Sequence, residues 1–291
     1  MRYKKQMDQF VSKFRKLHPP EHLLRPGCEP FVRGGTEGST VIVMIHGLSD
    51  SPKYMEQLAN ACPADFTAVV PLIPGHGLKD PDKAFEDDDL LRKWKDHVAA
   101  VVELVNAELN PDNIILVGYS NGAALSLNYA LRGNRWDKVV GVVTLAAAMD
   151  MFSKDDLARW LPGAGWISKL LDGVYTPGKR FKYRYSRVST FGGVQTTRII
   201  DENTALASKA PLNIPLLAIH GLHDAVCPAE ACMELVKKHA PLGVFVGLGL
   251  TSVSHEAFTL EKPFDCIDGS NAWFDLIASY IFMFVKQVSN T

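Results

Sequence analysis

The chain has almost no net charge, few cysteines and no long uncharged apolar run. Its 291 residues carry a formal net charge of −1, so no long-range field of one sign favours binding to nucleic acid. No window of about 18 residues is apolar and uncharged throughout, and the amino-terminal residues lack the continuous apolar segment of a secretory signal. We therefore expect no stable membrane insertion, no export and a cytoplasmic location.

The five cysteines are odd in number, scattered and without a CxxC pair. This pattern argues against a disulfide scaffold and favours a reducing compartment. His223, Cys227 and Cys232 lie close together in the sequence, but their spacing matches no zinc-binding pattern. His255 and Glu256 lack the second histidine of an HExxH site, and the one Gly-Leu-Gly sequence lies within a predicted strand instead of opening a helix. The sequence therefore predicts neither a metal nor a cofactor.

Apolar runs that alternate with segments of helical spacing predict an α/β fold with a doubly wound, mostly parallel sheet. A short edge strand is predicted at Phe31 and Val32. Near-continuous apolar runs are typical of parallel strands covered on both faces; these are 40–45, 67–73, the run before Ser120, 139–146, 215–219 and 244–250. Helices are predicted over 52–61 with Ser51 as its cap, from the acidic cluster 86–89 to about 108, over 229–240 and near the carboxyl terminus.

The first predicted helix is basic and amphipathic. Its apolar residues recur at helical spacing among lysines and arginines, and they are Met7, Phe10, Val11, Phe14 and Leu17. Such a stripe can bind an anionic membrane surface or pack on the protein's own core. We favour packing on the core.

Residues 150–208 interrupt the alternation of strands and helices. A connection of this length is typical of an active-site lid, so we interpret it as a cap inserted into a core formed by 1–149 and 209–291. We expect Trp160 and Trp166 to contact the substrate. The apolar residues of the insertion could form an acyl pocket or the cap's own small core, and they include Met151, Phe152, Leu157, Trp160, Leu161 and Trp166. The basic aromatic run 179–187 is expected to be a solvated face of the cap rather than a phosphate or nucleobase site.

The stretch Gly118-Tyr119-Ser120-Asn121-Gly122 matches the pattern GxSxG. A bare match also arises by chance in a plain turn, but this one lies between an apolar run and a segment of helical spacing. Strand, sharp turn and helix form the nucleophile elbow, in which a strained backbone exposes the serine hydroxyl. The glycines leave room where side chains would collide with the neighbouring strand and helix.

A serine hydroxyl is a weak nucleophile at neutral pH unless a base takes its proton and a carboxylate orients that base. In doubly wound sheets the reactive groups gather at the carboxyl ends of the strands. Asp224 follows one predicted strand and His255 follows the next. The order Ser120, Asp224, His255 is the order associated with nucleophile-elbow hydrolases.

Other acids and histidines compete for these roles. Asp150 also follows a strand end downstream of Ser120 and is the main rival to Asp224. His46 and His76 precede glycines in turns, so we interpret them as loop-shaping residues rather than the base. His97 is expected on a helix surface.

Attack on an acyl carbonyl creates an oxyanion, which backbone N–H groups can stabilise. The amide of Asn121 lies at the start of the helix after the serine, and the amide of Leu48 lies in the turn after the strand that ends before His46. We predict these two amides as the oxyanion hole. We further expect His46, Gly47 and Tyr119 to contact the substrate.

The segments VIVMIHGLSDSP, VVPLIPGHG and GYSNG, with the strand ending near Asp224 and the turn at His255, resemble an α/β-hydrolase. More narrowly, the chain is similar to the carboxylesterase and monoacylglycerol-lipase branch, which is sometimes grouped with serine-aminopeptidase-like hydrolases. The resemblance covers nearly all of the core and little of the cap. It implies Ser120 as nucleophile, His255 as general base, Asp224 as orienting acid, and Leu48 and Asn121 as the oxyanion hole.

The sequence therefore predicts a serine hydrolase that cleaves small-molecule carboxylic esters through an acyl-enzyme. The same catalytic groups support thioester, amide or carbon–carbon bond hydrolysis, so another reaction on the same scaffold is the nearer alternative. A non-catalytic small-molecule receptor built on this fold is the farther one. Oligomeric state is left open.

Overall fold

The computed structural model describes residues 2–35, 39–85, 87–133, 138–150, 182–185, 190–249, 255, 258–262 and 271–290. Within these residues, one seven-stranded sheet has helices on both faces. Its strands are β1 Phe31–Arg33, β2 Thr40–Ile45, β3 Thr67–Val70, β4 Asn113–Tyr119, β5 Val139–Leu145, β6 Leu216–Gly221 and β7 Gly243–Leu248. Their spatial order is β1-β3-β2-β4-β5-β6-β7. β1 pairs antiparallel with β3, and all the other pairs are parallel.

The described α-helices cover both faces of this sheet. They are α1 Arg2–Lys16, α2 Glu56–Ala61, α3 Asp82–Phe85, α4 Leu90–Leu109, α5 Asn121–Leu131, α6 Thr190–Lys209, α7 Ala229–His239 and α8 Phe274–Ser289. Short 3₁₀ turns run over Glu21–Leu23 and Pro52–Met55. None of the described helices combines the length and the apolar content needed to cross a bilayer.

Alternate residues of each central strand enter two separate cores. In β2, Val41, Val43 and Ile45 pack with residues of α4 and α5. Ile42 and Met44 point to the other face and pack with residues of α2 and α8. Because a parallel strand must bury both faces, its sequence is apolar at every position, as it is throughout β2.

The predicted doubly wound α/β fold is confirmed, and most element boundaries agree within a few residues. β3 ends at Val70, not at 73. Ser51 occupies the amino-cap position with an extended backbone, but its side chain makes no capping hydrogen bond. The predicted helix 52–61 begins as the 3₁₀ turn Pro52–Met55 and continues as α2.

The prediction that the first helix packs on the core is confirmed. Phe10 and Phe14 are fully buried beside residues of α4. Gln6 Nε2 donates to the carbonyl of Glu108 at 2.8 Å, and Lys13 pairs with the Glu108 carboxylate at 2.7 Å. The apolar stripe is therefore covered by the protein itself.

Two described parts of the predicted cap region pack on the core. α6 lies on α5, where Asn203 Nδ2 donates to the Ala124 carbonyl at 2.9 Å and Thr196 Oγ1 donates to Asn121 Oδ1 at 3.1 Å. The other part is residues 182–185, here called the strap. The placement of a cap boundary at 150 and 208 stays a prediction, because most of that region lies outside the described residues.

Within the strap, Lys182 is exposed, as expected of a solvated basic face, but Tyr185 is not. Tyr185 is buried, and its hydroxyl accepts from the Leu78 amide at 2.8 Å and donates to the Gly75 carbonyl at 3.0 Å. Arg25 donates to the carbonyls of Lys182 and Arg184 at 2.6 and 2.8 Å. The side chain of Tyr185 and the backbone carbonyls of Lys182 and Arg184 therefore anchor the strap to the core, which the basic composition alone does not indicate.

His97 is also buried, contrary to the expected surface position. It packs edge-on against His18 with ring centroids 4.9 Å apart. Burial lowers the pKa of His97 to about 3 and that of His18 to about 4. Both rings are therefore neutral in the folded protein over the range in which free histidine titrates.

This histidine pair makes the protein sensitive to acid. Below pH 6.5 the unfolded chain binds protons that the folded chain excludes, so stability falls as the pH drops towards the folded pKa values. At pH 5 the expected cost is roughly 2 kcal/mol of unfolding free energy per histidine. Urea unfolding measures the unfolding free energy at pH 7.5 and at pH 5. The loss of unfolding free energy between these two pH values should be smaller in His97→Leu than in the wild type by about this amount.

His22→Leu is the matched control because His22 is exposed. The change in its unfolding free energy between pH 7.5 and pH 5 should equal that of the wild type. If His97→Leu lost as much unfolding free energy between pH 7.5 and pH 5 as the wild type, the result would contradict the burial of a neutral ring at this position.

Candidate active site

Ser120 lies at the turn between β4 and α5 with a backbone that few residues adopt. Its φ is 53° and its ψ is −117°. Its amide donates to the Leu145 carbonyl at 2.9 Å, and its carbonyl accepts from the Ala123 and Ala148 amides at 3.0 and 3.2 Å. These contacts maintain a conformation that costs of the order of 1–3 kcal/mol. The predicted elbow geometry is confirmed.

The two elbow glycines allow a close approach of strand and helix. A Cβ at Gly118 would lie 2.5 Å from the Ala123 amide nitrogen. A Cβ at Gly122 would lie 2.5 Å from the His46 carbonyl oxygen. Both obstacles are backbone atoms, so a side chain cannot be accommodated by a change of rotamer.

The structure brings together the three side chains singled out in the sequence. His255 Nε2 lies 3.0 Å from Ser120 Oγ, and His255 Nδ1 lies 2.7 Å from Asp224 Oδ2. Ser120 follows β4 and Asp224 follows β6, so the carboxyl ends of two strands on either side of β5 position them at one edge of the sheet. An Nδ1–H donating to the carboxylate leaves Nε2 with its lone pair directed at the hydroxyl.

Asp224 is ionised although it is 8% exposed. Burial opposes its charge, but hydrogen bonds from His220 and His255 outweigh that effect and hold the pKa of the carboxyl well below its usual range. Its Oδ1 also accepts the amides of Val226 and Cys227 at 2.8 and 3.0 Å. Both oxygens thus have donors, which is what keeps a buried carboxylate charged.

The rival residues are elsewhere. Asp150 is exposed after β5, whereas Asp224 makes the contact with His255. His46 and His76 are buried and shape loops, as expected. His46 Nε2 accepts the Ile73 amide at 3.1 Å, and burial lowers the pKa of His76 to about 4.

A cavity of about 130 Å³ opens beside Ser120 and His255. Its other lining residues are Leu48, Asp50, Tyr119, Asn121, Ala148, Arg184, Thr196, Val226 and Cys227. The two residues predicted to supply the oxyanion hole are among them. The Asn121 amide is the first of α5, where an amide has no intrahelical acceptor and the helix dipole favours negative charge.

The residues predicted to contact substrate have different positions. His46 and Gly47 are buried and do not line this cavity, so their prediction as substrate contacts is not supported. Tyr119 reaches the cavity wall but is only 2% exposed, and its hydroxyl donates to the His255 carbonyl at 2.6 Å. Trp160 and Trp166 lie outside the described residues.

Sequence reasoning missed three residues of the site. Arg184 of the strap lines the cavity, with Nε 3.7 Å from Asp50 Oδ1. His220 Nε2 lies 3.5 Å from Asp224 Oδ2 and 3.1 Å from the Cys227 carbonyl. The position of His220 at the end of a strand was a usable signal, since such ends converge on the site. No local pattern identified Arg184 or Asp50.

Comparison with known proteins identifies the family. A model of the alpha/beta hydrolase family matches residues 42–259. This span is more than half of the chain, which therefore belongs to the alpha/beta hydrolase family. The chain is also 24% identical over 246 residues to the AB hydrolase superfamily protein YisY of Bacillus subtilis strain 168, covering 76% of this chain and 87% of that protein.

Solved structures share the fold over most of the chain. A structure described with LipS and LipT, two metagenome-derived lipolytic enzymes, has a TM-score of 0.67 at 20% identity and covers 91% of this chain and 99% of that chain. The monoacylglycerol lipase of Paleococcus ferrophilus has a TM-score of 0.63 at 19% identity, with 89% and 99% coverage. A soluble variant of the Saccharomyces cerevisiae monoglyceride lipase gives 0.62 at 12% identity, with 90% and 92% coverage.

Substitution of an elbow glycine tests the close packing at this turn. Gly122→Ala should lower the unfolding free energy by roughly 3 kcal/mol, because its Cβ meets backbone atoms that cannot move independently. Gly133→Ala is the control, since Gly133 has φ +65° but nothing within 4 Å of a new Cβ. It should cost only about 1 kcal/mol in denaturant unfolding. Equal costs at the two positions would rule out the steric explanation.

Proposed function

We propose that this protein is a serine hydrolase that cleaves small-molecule carboxylic esters through an acyl-enzyme. The single observation that carries this proposal is the continuous hydrogen-bonded chain from Ser120 Oγ through His255 to Asp224. Membership of the alpha/beta hydrolase family supports a hydrolase. The elbow strain and the two glycines support Ser120 as the nucleophile.

In the proposed first step, Ser120 Oγ attacks the ester carbonyl while His255 Nε2 takes the hydroxyl proton. The Asp224 carboxylate stabilises the imidazolium that forms. The tetrahedral intermediate then expels the alcohol, to which His255 returns the proton. A water molecule activated by His255 hydrolyses the acyl-enzyme, releasing the carboxylic acid and regenerating Ser120.

The amides of Leu48 and Asn121 are the proposed donors to the oxyanion. Both residues line the cavity that contains Ser120 and His255. Leu48 lies in the turn after β2 and Asn121 begins α5, so two neighbouring strands of the sheet position the donors on one edge. Losing one such donor typically costs about 100- to 1000-fold in rate.

The cavity supports a small acyl group. Its described walls enclose about 130 Å³, well below the roughly 300–1,000 Å³ of typical drug-sized sites. Its apolar wall residues include Leu48, Ala148 and Val226. We therefore propose that short acyl chains are preferred.

A covalent probe tests the nucleophile and its acid. A fluorophosphonate should label the wild type at one site, and Ser120→Ala should abolish both labelling and hydrolysis of p-nitrophenyl acetate. Asp224→Asn should lower kcat by about 10³- to 10⁴-fold, because the histidine loses its orienting carboxylate. Asp150→Asn is the matched control and should leave kcat unchanged. An unlabelled wild type would favour a non-catalytic receptor.

An ester series tests the size of the acyl site. For p-nitrophenyl esters from acetate to palmitate, kcat/KM should be highest for short chains and should fall as the chain outgrows the cavity. Matched amide and thioester substrates should react more slowly than the best ester. A maximum at palmitate would contradict the short-chain assignment without affecting the catalytic one.

A further inference from the structure

Tyr119, the residue between the first elbow glycine and the serine, contacts the histidine rather than open solvent. Its hydroxyl donates to the His255 backbone carbonyl at 2.6 Å, and its ring lies 5.4 Å from the imidazole ring between centroids. The side chain is 2% exposed. The ring is confined on another side by Gly47, where a Cβ would lie 2.9 Å from Tyr119 Cε1.

These contacts close a covalent and hydrogen-bonded ring around the reacting atoms. Tyr119 and Ser120 are consecutive in the chain, Ser120 Oγ contacts His255 Nε2, and the His255 carbonyl returns to the Tyr119 hydroxyl. The imidazole of His255 therefore bonds to Ser120, and its backbone carbonyl bonds to the adjacent residue, Tyr119. A shift of the histidine backbone away from Ser120 breaks the phenol hydrogen bond.

We propose that Tyr119 is a positioning residue that holds the His255 backbone at the distance from which its imidazole reaches Ser120. This inference rests on the proposed serine chemistry. The imidazole is already oriented by Asp224 through Nδ1, but that bond fixes the ring and not the segment that carries it. Among the described contacts of the His255 carbonyl, the Phe258 amide at 3.4 Å is much longer than the bond from Tyr119.

The bond from Tyr119 matters because proton transfer requires a precise distance between Ser120 and His255. Proton transfer from Ser120 needs a heavy-atom separation near 3 Å, and a misplacement of about 1 Å can cost about 100-fold in rate. Losing one neutral hydrogen bond makes displaced states up to about tenfold more populated. The expected loss of rate for Tyr119→Phe is therefore about tenfold.

Tyr119→Phe removes the hydroxyl and keeps the ring against Gly47. It should lower kcat for the best ester about tenfold, with KM within about twofold of wild type, and should slow fluorophosphonate labelling by a similar factor. Tyr3→Phe is the matched control. It removes a hydroxyl bonded to Thr67 Oγ1 at 3.0 Å, at the amino end of β3 and thus the opposite edge of the sheet. It should leave kcat and KM unchanged.

A second measurement does not depend on turnover. The proton between His255 Nδ1 and Asp224 should give a strongly downfield NMR resonance in the wild type, lost in Asp224→Asn. In Tyr119→Phe this proton should exchange with water faster, while the melting temperature falls no more than in Tyr3→Phe. An inactive wild type that still shows this difference would reject the proposed function and retain the positioning role.

Three results would overturn the inference. One is an active wild type with unchanged kcat and unchanged proton exchange in Tyr119→Phe. Another is a loss of activity that comes from a raised KM alone, which would assign Tyr119 to substrate contact. A kcat loss that accompanies a much larger drop in melting temperature than in Tyr3→Phe would equally reject a specific role at His255.

Discussion

The contact between Ser120 and His255 joins residues 135 positions apart, and the parallel sheet is what makes that contact possible. In a parallel sheet all carboxyl ends lie at one edge, so the residues after β2, β4 and β6 converge without any pattern linking them along the chain. Register matters as much as direction. Tyr119 pairs with Leu145, and Gly221 pairs with Leu248, which brings consecutive strands to an end at the same level.

Bringing these residues together at one sheet edge requires strained backbone conformations and a buried charge. Ser120 and Ser49 both have positive φ, at 53° and 67°, and neither is glycine. Asp224 is a buried carboxylate. Its orientation is secured first by its own loop, because Oδ1 accepts amides two and three residues later in the chain. Contacts within its own loop therefore hold the carboxylate in addition to its contact with His255, so the imidazole has a preorganised acceptor.

Local patterns predicted the fold and the three side chains that meet at the candidate site, because each has a local cause. Strands of a parallel sheet are apolar throughout, the elbow needs glycine on both sides of the serine, and strand ends restrict where an acid and a histidine can be useful. The order of Ser120, Asp224 and His255 along the chain then favoured one assignment of nucleophile, acid and base. The three side chains lie close together because of the strand order of the parallel sheet, and the alternation of strands and helices in the sequence already indicated such a sheet.

Residues whose roles depend on distant partners were not predictable in this way. His97 follows a polar helical pattern, yet it is buried against His18, which lies in a different part of the chain. Tyr185 and Arg184 belong to a basic run that is typical of a solvated surface, yet their partners lie more than 100 residues away. His46 was expected both to shape a loop and to contact substrate, and its burial satisfies only the first.

The strap links the predicted cap region to the candidate active site. The turn that contains Leu48 continues into the strained Ser49, whose carbonyl accepts the Tyr185 amide at 2.8 Å. The preceding strap residue, Arg184, forms part of the cavity wall beside Asp50. One short segment therefore supports the turn of a proposed oxyanion donor and also shapes the cavity beside Ser120. Changes in the strap should alter both rate and specificity, even though the elbow and the sheet that positions it stay the same.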